Sequence, residues 1–387
     1  MLQRARKSVQ TSFGWVGAPA AGNVYAMSGV VISNKSHLLY TKLSGMDSVT
    51  HVVLGAAIGE VVLGKKLGYK AAIIGAIADT VPDFDVFLNF FTHDEILKLQ
   101  IHRSYSHAMF THIFLALPLA WLTYALFKKT IPYARWYLLW ILGLTTHGLL
   151  DCCTTYGTQY LLPFSHTLVG FNNIAVVDVF FTVPFMVLII ACLFMRRENP
   201  MRVKTAWAGL SYAILYIALT VPNKYYVHQH FTKELARQNI KTQELYTSPT
   251  LFNNFLWAAM ATTEDSIWLG EYSILQKRSE IKFVSYPRNT ALIKNWPDKH
   301  STDVLLWFSQ GKYFALQSGD TLKFYNVKWG RGDFRETAAD KAIPFNFLLY
   351  PQNGTWQASV RQPHFTSEEF KSAFGALWRR MFDAGEW

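Results

Sequence analysis

The stretch that decides the fold of this chain is residues 146–151, which read Thr-His-Gly-Leu-Leu-Asp. It ends an almost uncharged run from Trp136 to Leu150, which predicts an apolar helix. His147 and Asp151 are four residues apart, so a helix places them on one face, one turn from each other. An imidazole and a carboxylate in that arrangement can bind one metal ion. Alone, the pattern is a weak signal, because a structural histidine with a capping carboxylate at a helix end looks the same.

Further histidines and aspartates lie at the ends of the neighbouring apolar runs. Seven of the chain's 12 histidines fall between His51 and His166. The potential ligands at these ends are the histidines His51, His102, His107 and His147 and the aspartates Asp83, Asp85 and Asp151. Such a set is large enough for more than one ion. Oxygen and nitrogen ligands without thiolate suit Zn²⁺, and also Mn²⁺ or Fe²⁺.

The composition indicates a membrane protein with a soluble C-terminal portion. The chain is 51% hydrophobic and only 16% charged, against a usual charged share of about 25%. The net charge of +11 would be compatible with nucleic acid, but much of the basic excess lies in short loops between apolar runs. The chain has no RNA- or DNA-binding motif, so no nucleic-acid partner is expected. Its three cysteines form no CxxC pair, which argues against a cysteine zinc site and a disulfide framework.

The apolar runs and the basic loops between them predict the membrane topology. Full spans are predicted at 108–127, 136–150, 176–195 and 206–221, and short, tilted or re-entrant helices at 52–63 and 71–78. Lysine and arginine concentrate in three basic loops, at 64–70, 128–135 and 196–205. The positive-inside rule makes these loops cytoplasmic, and the ends that carry histidine and aspartate are then outside. Loop charge and ligand position are independent observations, and they agree.

Three regions follow from these patterns. Residues 1–45 are predicted to be a disordered or wrongly assigned N-terminal extension, residues 46–222 a helical membrane domain with the metal site, and residues 223–387 a linker helix with a β-rich soluble domain. Strands of an antiparallel meander are predicted at Ile281–Tyr286, Val304–Phe308, Tyr313–Gln317 and Leu322–Val327. A last helix is predicted to start at Thr366, with a capping box.

The ligand set predicts hydrolytic chemistry. A bound divalent ion lowers the pKa of its water and polarises a phosphoryl or acyl oxygen. The candidate catalytic residues are Asp83, Asp85 and Arg103. Arg103 either stabilises charge on a phosphate or serves as a lipid-headgroup anchor or ion-pair partner. The chain has no HExxH motif, no GxSxG before a helix and no P-loop, which disfavours zincin proteases, serine hydrolases and NTPases.

These motifs together resemble the YdjM/YbcI family of membrane-bound metal-dependent hydrolases. The matching pieces are Met46–His51 with Gly55 and Gly59, Gly75–Asp79, Pro82–Asp85, His102–Arg103 with His107, and His147–Thr158. They cover roughly residues 46–222. The family usually has a serine after the second histidine of its HRxxxH block, whereas this chain has Ala108, which puts a hydroxyl contact there in doubt.

The resemblance implies a site and a reaction class. The family is distantly similar to zinc-dependent phospholipase C and the P1-type nucleases, which are all-helical enzymes with a multi-zinc site that cleave phosphate esters. It implies ligands at His51, Asp83, His102, His107, His147 and Asp151. It supplies no defined substrate.

The expected fold is therefore mainly α, a polytopic helical membrane bundle of the phospholipase C/P1 nuclease type followed by a small β-rich α+β domain. We expect a multi-pass protein of the bacterial inner (cytoplasmic) membrane, with the metal site and the C-terminal domain on the extracytoplasmic side. The expected activity is metal-dependent hydrolysis of a phosphoester by metal-activated water, and the expected partners are membrane lipid and a lipid or lipid-linked phosphoester substrate. The alternatives are a metal or proton transporter and a non-catalytic membrane scaffold.

Overall fold

A computed structural model describes residues 37–276, 280–332, 338–361 and 367–382. Side chains are described for the same residues except 37–47 and 367–370. The predicted extension at 1–45 lies mostly outside these ranges, and the first helix begins at His37. The predicted cap Thr366 also lies outside them, and the last helix is described from Ser367.

The N-terminal region is mostly helical, as the apolar runs predict. Its helices are α1 (His37–Leu67), α2 (Tyr69–Thr80), α3 (Glu95–Ile101), α4 (Met109–Leu126), α5 (Tyr133–Cys153), α6 (Val179–Phe194) and α7 (Pro200–Arg237). Two 3-10 helices, Val81–Phe91 and Tyr105–His107, interrupt the connection between α2 and α4. Asp94 caps α3 and Asp178 caps α6, each by accepting two backbone N–H bonds, which satisfies donors that the helix leaves unpaired.

Three helices in the described part of the chain are long and apolar enough to cross a membrane: residues 48–67 of α1, α4 and α7. Helix α6 is apolar but shorter. Helix α5, which covers the predicted span 136–150, has the length of a span but carries Arg135, His147 and Asp151. Much of the surface of α4 and α7 is not covered by other parts of the protein. Apolar residues there, such as Trp121 and Leu215, are therefore able to contact lipid.

Helices α1 and α2 form a tight antiparallel pair through small residues. A Cβ atom on Gly59 would lie 2.0 Å from the carbonyl oxygen of Ala71, and one on Gly55 would lie 2.2 Å from that of Gly75. Only glycine permits this approach, because no side-chain atom fits between the two backbones. The close pairing brings the end of α2 beside His51, which lies near the start of the apolar part of α1.

A buried ion pair connects α1 to α7. Arg202 donates from Nε to Glu60 Oε1 at 2.6 Å and from Nη2 to Glu60 Oε2 at 2.8 Å. Its Nη1 donates to the carbonyl oxygen of Met195 at 2.6 Å. Both charged side chains are buried, so each depends on the other for compensation of its charge.

Glu60→Gln is expected to destabilise the protein by about 3–5 kcal/mol, because it leaves the Arg202 charge buried without a counterion. Thermal unfolding in detergent should show a melting temperature lower by several degrees. The control is Arg197→Gln, which breaks the exposed Arg197–Glu198 pair and should leave the melting temperature unchanged. Equal melting temperatures for the two variants would contradict this account.

The C-terminal region contains two four-stranded antiparallel sheets, each a meander in sequence order. The first comprises β1 (Glu244–Pro249), β2 (Leu256–Thr262), β3 (Ser266–Ser273) and β4 (Phe283–Pro287). The second comprises β5 (Tyr313–Ser318), β6 (Thr321–Asn326), β7 (Phe345–Gln352) and β8 (Thr355–Arg361). Helices α8 (Thr290–Asn295), α9 (Lys299–Ser309), α10 (Ala339–Ala342) and α11 (Ser367–Phe382) accompany them. The predicted β-rich character of this region is confirmed.

One predicted strand is wrong. Residues Val304–Phe308 belong to α9, not to a strand. The side chain of Asp298 caps this helix by accepting from the Ser301 amide. Burial of Ser301, Val304, Leu305 and Phe308 follows the i, i+3, i+4, i+7 spacing of a helix. The short apolar run alone could not distinguish the two structures.

The C-terminal region packs on the loop that follows α5. Asn254 Nδ2 donates to the carbonyl oxygen of Asn173 at 2.7 Å, and Trp307 Nε1 donates to that of His166 at 2.9 Å. The sheets therefore lie at the end of the helical region where α5 ends and α6 begins.

The three basic loops lie together at the other end of the helices. A Cβ atom on Gly68 would lie 3.8 Å from Arg197 Cβ, so the first and third loops are adjacent. Leu63 and Ile131 share one buried cluster, which brings the second loop next to the first. Basic loops and candidate ligands thus occupy opposite ends of the helices.

Candidate metal centre

Four segments far apart in the sequence bring the candidate ligands together. His51 lies near the start of the apolar part of α1, and Asp83 lies in the 3-10 helix after α2. His107 ends the short 3-10 helix before α4, and His147 and Asp151 lie in the last two turns of α5. The predicted i, i+4 pair therefore faces the ends of three other elements.

Five distances among four donor atoms are close to those between the ligands of one zinc ion. His107 Nε2 lies 3.0 Å from His147 Nε2 and 3.2 Å from Asp151 Oδ2. Asp83 Oδ1 lies 3.4 Å from His147 Nε2 and 3.5 Å from His107 Nε2, and His147 Nε2 lies 3.6 Å from Asp151 Oδ2. Ligands about 2.0–2.1 Å from a tetrahedral zinc ion are separated by about 3.3 Å. The residues present therefore fit a divalent ion.

A second group adjoins the first and shares residues with it. His51, His147 and Asp151 offer ligand atoms that all lie within 4.8 Å of one another, as do Asp83, His107 and His147. His51 Nε2 lies 3.3 Å from Asp151 Oδ1, the oxygen that faces away from His107. His51 Nδ1 lies 3.5 Å from Asp79 Oδ2. Asp151 thus presents one carboxylate oxygen to each group, as a residue between two neighbouring cations would.

The charge balance of the cluster favours bound cations. Asp79 and Asp151 are fully buried, Asp85 is nearly so, and Asp83 is 21% exposed. Among the described lysines and arginines, only Arg103 forms an ion pair with these carboxylates. Histidines that ligate a metal are neutral. Because buried charge is costly without compensation, four carboxylates beside one guanidinium favour a bound cation or protonated histidines.

Asp85 organises the residues beside the donor set. Its Oδ1 lies 3.0 Å from His102 Nδ1, and its Oδ2 accepts from the Arg103 amide at 2.9 Å and the Ser106 hydroxyl at 3.0 Å. His107 Nδ1 lies 3.5 Å from Oδ2, which leaves Nε2 to face the other donors. Burial opposes the ionisation of Asp85, but contact with His102 and the Arg103 amide lowers its pKa. Asp85 therefore remains an anion that orients its neighbours.

The backbone also orients His147. Its Nδ1 donates a hydrogen bond to the carbonyl oxygen of Asp79 at 2.5 Å, which leaves the lone pair of Nε2 to bind a metal ion. Thr146 Oγ1 donates to the Asp79 carboxylate at 3.2 Å. The end of α2 therefore fixes the tautomer of a histidine on α5.

The carboxylates of the cluster stabilise positive charge, as the pKa values of groups outside the spanning helices indicate. Burial opposes the ionisation of Asp83, but hydrogen bonds with His107 and His147 outweigh it and hold the Asp83 pKa well below its usual range. Burial also lowers the pKa of His107, yet the carboxylates of Asp151 and Asp83 raise it to about 9. Such a field stabilises a proton or a metal ion at the same place.

Arg103 is held rigidly next to the donor atoms. Its Nη2 lies 3.0 Å from Asp151 Oδ1, and its Nη1 donates to the Thr154 hydroxyl at 3.0 Å. The guanidinium carbon lies 4.9 Å from the centre of the Tyr156 ring. Its φ of 57° is unusual for a residue with a side chain, and the surrounding contacts stabilise it.

The structure groups most, but not all, of the predicted ligands. His51, Asp83, His107, His147 and Asp151 converge, whereas His102 belongs to neither ligand group in the described residues. Its role as a ligand stays a prediction. Asp85 and Arg103, predicted to be catalytic, lie beside the donors.

Sequence reasoning gave no site role to Asp79, Ser106, Thr154 or Tyr156. The signal for Asp79 was present, because it ends an apolar run like the other aspartates. Ser106 and Thr154 stand next to or near predicted residues, but serine and threonine are too common for position alone to identify a role. Tyr156 depends on contacts with a remote part of the chain, which no local pattern reveals.

Asp83 is the most exposed of the candidate ligands. The 3-10 helix Val81–Phe91 that carries this aspartate also presents apolar side chains outward. Phe90 is 79% exposed and Phe91 is 87% exposed, and Phe84 and Phe87 are more than half exposed. A segment that faces water rarely carries four exposed phenylalanines so close together.

Comparison with known proteins relates the N-terminal region to a family of membrane proteins. Residues 46–227, just under half of the chain, match the family described as YdjM inner membrane protein. A protein of Bacillus subtilis (strain 168) named uncharacterized protein YfhP is 23% identical over 239 residues, which cover 58% of this chain and 68% of that protein. No solved structure matches the chain.

Proposed function

We propose that this chain, whose residues 46–227 match the YdjM inner membrane protein family, is a metal-dependent hydrolase of a lipid or lipid-linked phosphoester. One observation carries the proposal. The donors of Asp83, His107, His147 and Asp151 lie at distances that suit a bound divalent ion, and a fixed arginine pairs with Asp151. A structural metal site needs neither an arginine paired with a ligand nor a partly exposed carboxylate.

The residues around the donors have distinct tasks in ester hydrolysis. A bound divalent ion would supply Lewis acidity toward a phosphoryl oxygen and lower the pKa of water. Asp83, the most exposed of these carboxylates, would hold the ion on the side that water reaches, and the proton of the attacking water would pass to the leaving alkoxide as its P–O bond breaks. Arg103 is placed to stabilise charge on the phosphoryl oxygens. Asp85 keeps His107 and the Arg103 backbone in position.

Two features support a lipid substrate. The exposed phenylalanines Phe84, Phe87, Phe90 and Phe91 lie on the same 3-10 helix as Asp83, and apolar rings there favour acyl chains over water. The site also lies at the ends of apolar helices, where headgroups would be. An all-helical site of this kind suits a fold of the phospholipase C/P1 nuclease type, which we propose for residues 46–222.

We propose that the metal site and the C-terminal domain face the extracytoplasmic side of the inner membrane. The three basic loops lie at the opposite end of the helices, which the positive-inside rule assigns to the cytoplasm. Alkaline phosphatase fused after residue 387 should be active in cells, and green fluorescent protein fused there should be dark. The reverse pattern would contradict this orientation.

The experiment for the activity uses the full chain purified in detergent. We expect at least one tightly bound zinc, manganese or iron per chain by elemental analysis. We also expect metal-dependent release of product from phospholipid or other phosphodiester substrates, lost after chelation and restored by metal. Stoichiometric metal with no hydrolysis across lipid and soluble phosphodiesters would contradict the hydrolase proposal while leaving the metal site intact.

The buried Glu60–Arg202 pair favours transport as a second candidate function. It lies nine residues after His51 on α1, about 13 Å further along the helix, so charged groups occur at two depths. The two side chains pair with each other through two hydrogen bonds, however, which favours a structural role over a place in a transport path. Zinc flux into dye-loaded proteoliposomes would favour transport.

A further inference from the structure

Lys328, immediately after β6 in the C-terminal domain, is fully buried against the loop that follows α5. Its Nζ donates to the carbonyl oxygen of Tyr156 at 2.8 Å. It lies 4.5 Å from the ring centre of Phe308 and 5.3 Å from that of Trp329. A lysine of one domain is thus inserted between aromatic rings to reach the backbone of another.

This burial has no ordinary stabilising explanation. In the described residues Lys328 forms no ion pair with a carboxylate; its amine contacts a carbonyl oxygen and aromatic faces, and the like charges of Lys312 and Arg103 act on it. Burial lowers its pKa well below the usual value for lysine. Methionine or leucine would fill the space without the desolvation cost, so the amine is retained at the expense of stability.

The contacts of Tyr156 connect Lys328 to the metal centre. One face of the Tyr156 ring receives the Arg103 guanidinium at 4.9 Å. Its edges meet His102, with ring centres 5.2 Å apart, and Phe308, with ring centres 5.1 Å apart. Tyr156 therefore stands between the C-terminal domain and the arginine that binds Asp151.

We propose that the C-terminal domain completes the phosphate subsite, with Lys328 as a positioning residue that holds Tyr156 and, through its ring, the Arg103 guanidinium. The inference rests on the proposed function, because it gives Arg103 the phosphoryl group as ligand. It assigns the soluble domain an indirect part in substrate binding, through the position of Arg103. The ligand class is a phosphoryl oxyanion, whether of a lipid headgroup or of free phosphate.

The test uses the full chain in detergent, reconstituted with Co²⁺ and titrated with inorganic phosphate while the visible spectrum of the metal is followed. Lys328→Met should weaken phosphate binding about tenfold and leave Co²⁺ affinity unchanged, because the metal ligands do not depend on Lys328. The control is Lys312→Met. Lys312 is also buried in this domain and lies over an aromatic ring, but it pairs with Glu244 and is not in contact with Tyr156. Its phosphate affinity should match that of the unaltered chain.

A second pair of variants keeps the test decisive if Lys328→Met fails to fold. Tyr156→Leu removes the ring and should weaken phosphate binding similarly, whereas Tyr156→Phe keeps it and should restore binding. Affinities for free phosphate and for phospholipid vesicles that both stay unchanged in Lys328→Met and in Tyr156→Leu would overturn the inference alone. An unaltered chain that binds no Co²⁺ would overturn the proposed function and the inference together. If Lys328→Met weakens binding to phospholipid vesicles about tenfold but leaves binding to free phosphate unchanged, the lipid headgroup is the source of the oxyanion.

Discussion

Asp151→Asn is expected to remove the divalent metal from the purified protein and to reduce phosphoester hydrolysis by more than about 100-fold. The Asp151 carboxylate faces histidines on both sides: Oδ1 lies 3.3 Å from His51 Nε2 and Oδ2 lies 3.2 Å from His107 Nε2. An amide keeps the shape but supplies one oxygen and no charge. It therefore cannot serve both sides, and it leaves Arg103 without its anionic partner.

Elemental analysis after gel filtration measures the metal content, and hydrolysis is followed on the same samples. Asp178→Asn is the matched control, because Asp178 is also a buried aspartate but caps α6 and accepts from Tyr216. Asparagine is an equally good helix cap, so metal content and stability should be nearly unchanged there. Equal metal in Asp151→Asn and the unaltered chain would remove the basis of the site.

Asp85→Asn is expected to lower metal affinity by about 10–100-fold without abolishing binding. Asp85 does not belong to either ligand group, but it contacts the His102 imidazole, the Arg103 amide and the Ser106 hydroxyl. An asparagine loses the charge that fixes His107 with Nε2 toward the metal. The loss should be one of affinity, since all direct donors remain.

Competition titration with a zinc chelator of known affinity measures the effect of Asp85→Asn. Asp94→Asn provides the control, because Asp94 caps the nearby helix α3 and does not contact the donor atoms. A zinc affinity for Asp85→Asn equal to that of Asp94→Asn would show that His107 needs no carboxylate behind it. Complete loss of metal would instead make Asp85 a ligand.

Local sequence rules predicted much of the fold, because they describe interactions within one element. Apolar runs predicted α4, α6 and α7, and alternating aromatic residues predicted β4, β5 and β6. The same rules misassigned Val304–Phe308, where five apolar-rich residues suit either structure and the cap at Asp298 decides for a helix. They also gave no strand at Leu256–Thr262, since a run buried on both faces lacks alternation.

The candidate site, too, was predictable where it depends on one helix and unpredictable where it depends on packing. The His147–Asp151 spacing places both groups on one helical face, so their partnership was predictable from 3.6 residues per turn. Which distant residues join them was not, because the glycines of α1 and α2 set how closely the helix ends approach. That packing brings Asp79 to His51 and leaves His102 against Asp85.

By itself, then, the sequence determined which N-terminal runs are helical, which ends carry candidate ligands, and which loops are basic, since each depends on neighbours within a few residues. Only the tertiary structure decided that Asp151 lies between His51 and His107 and that Lys328 reaches Tyr156 from 172 residues away. The physical reason is distance. A metal centre or a buried amine requires atoms placed within a few tenths of an ångström, and that placement comes from the packing of whole elements.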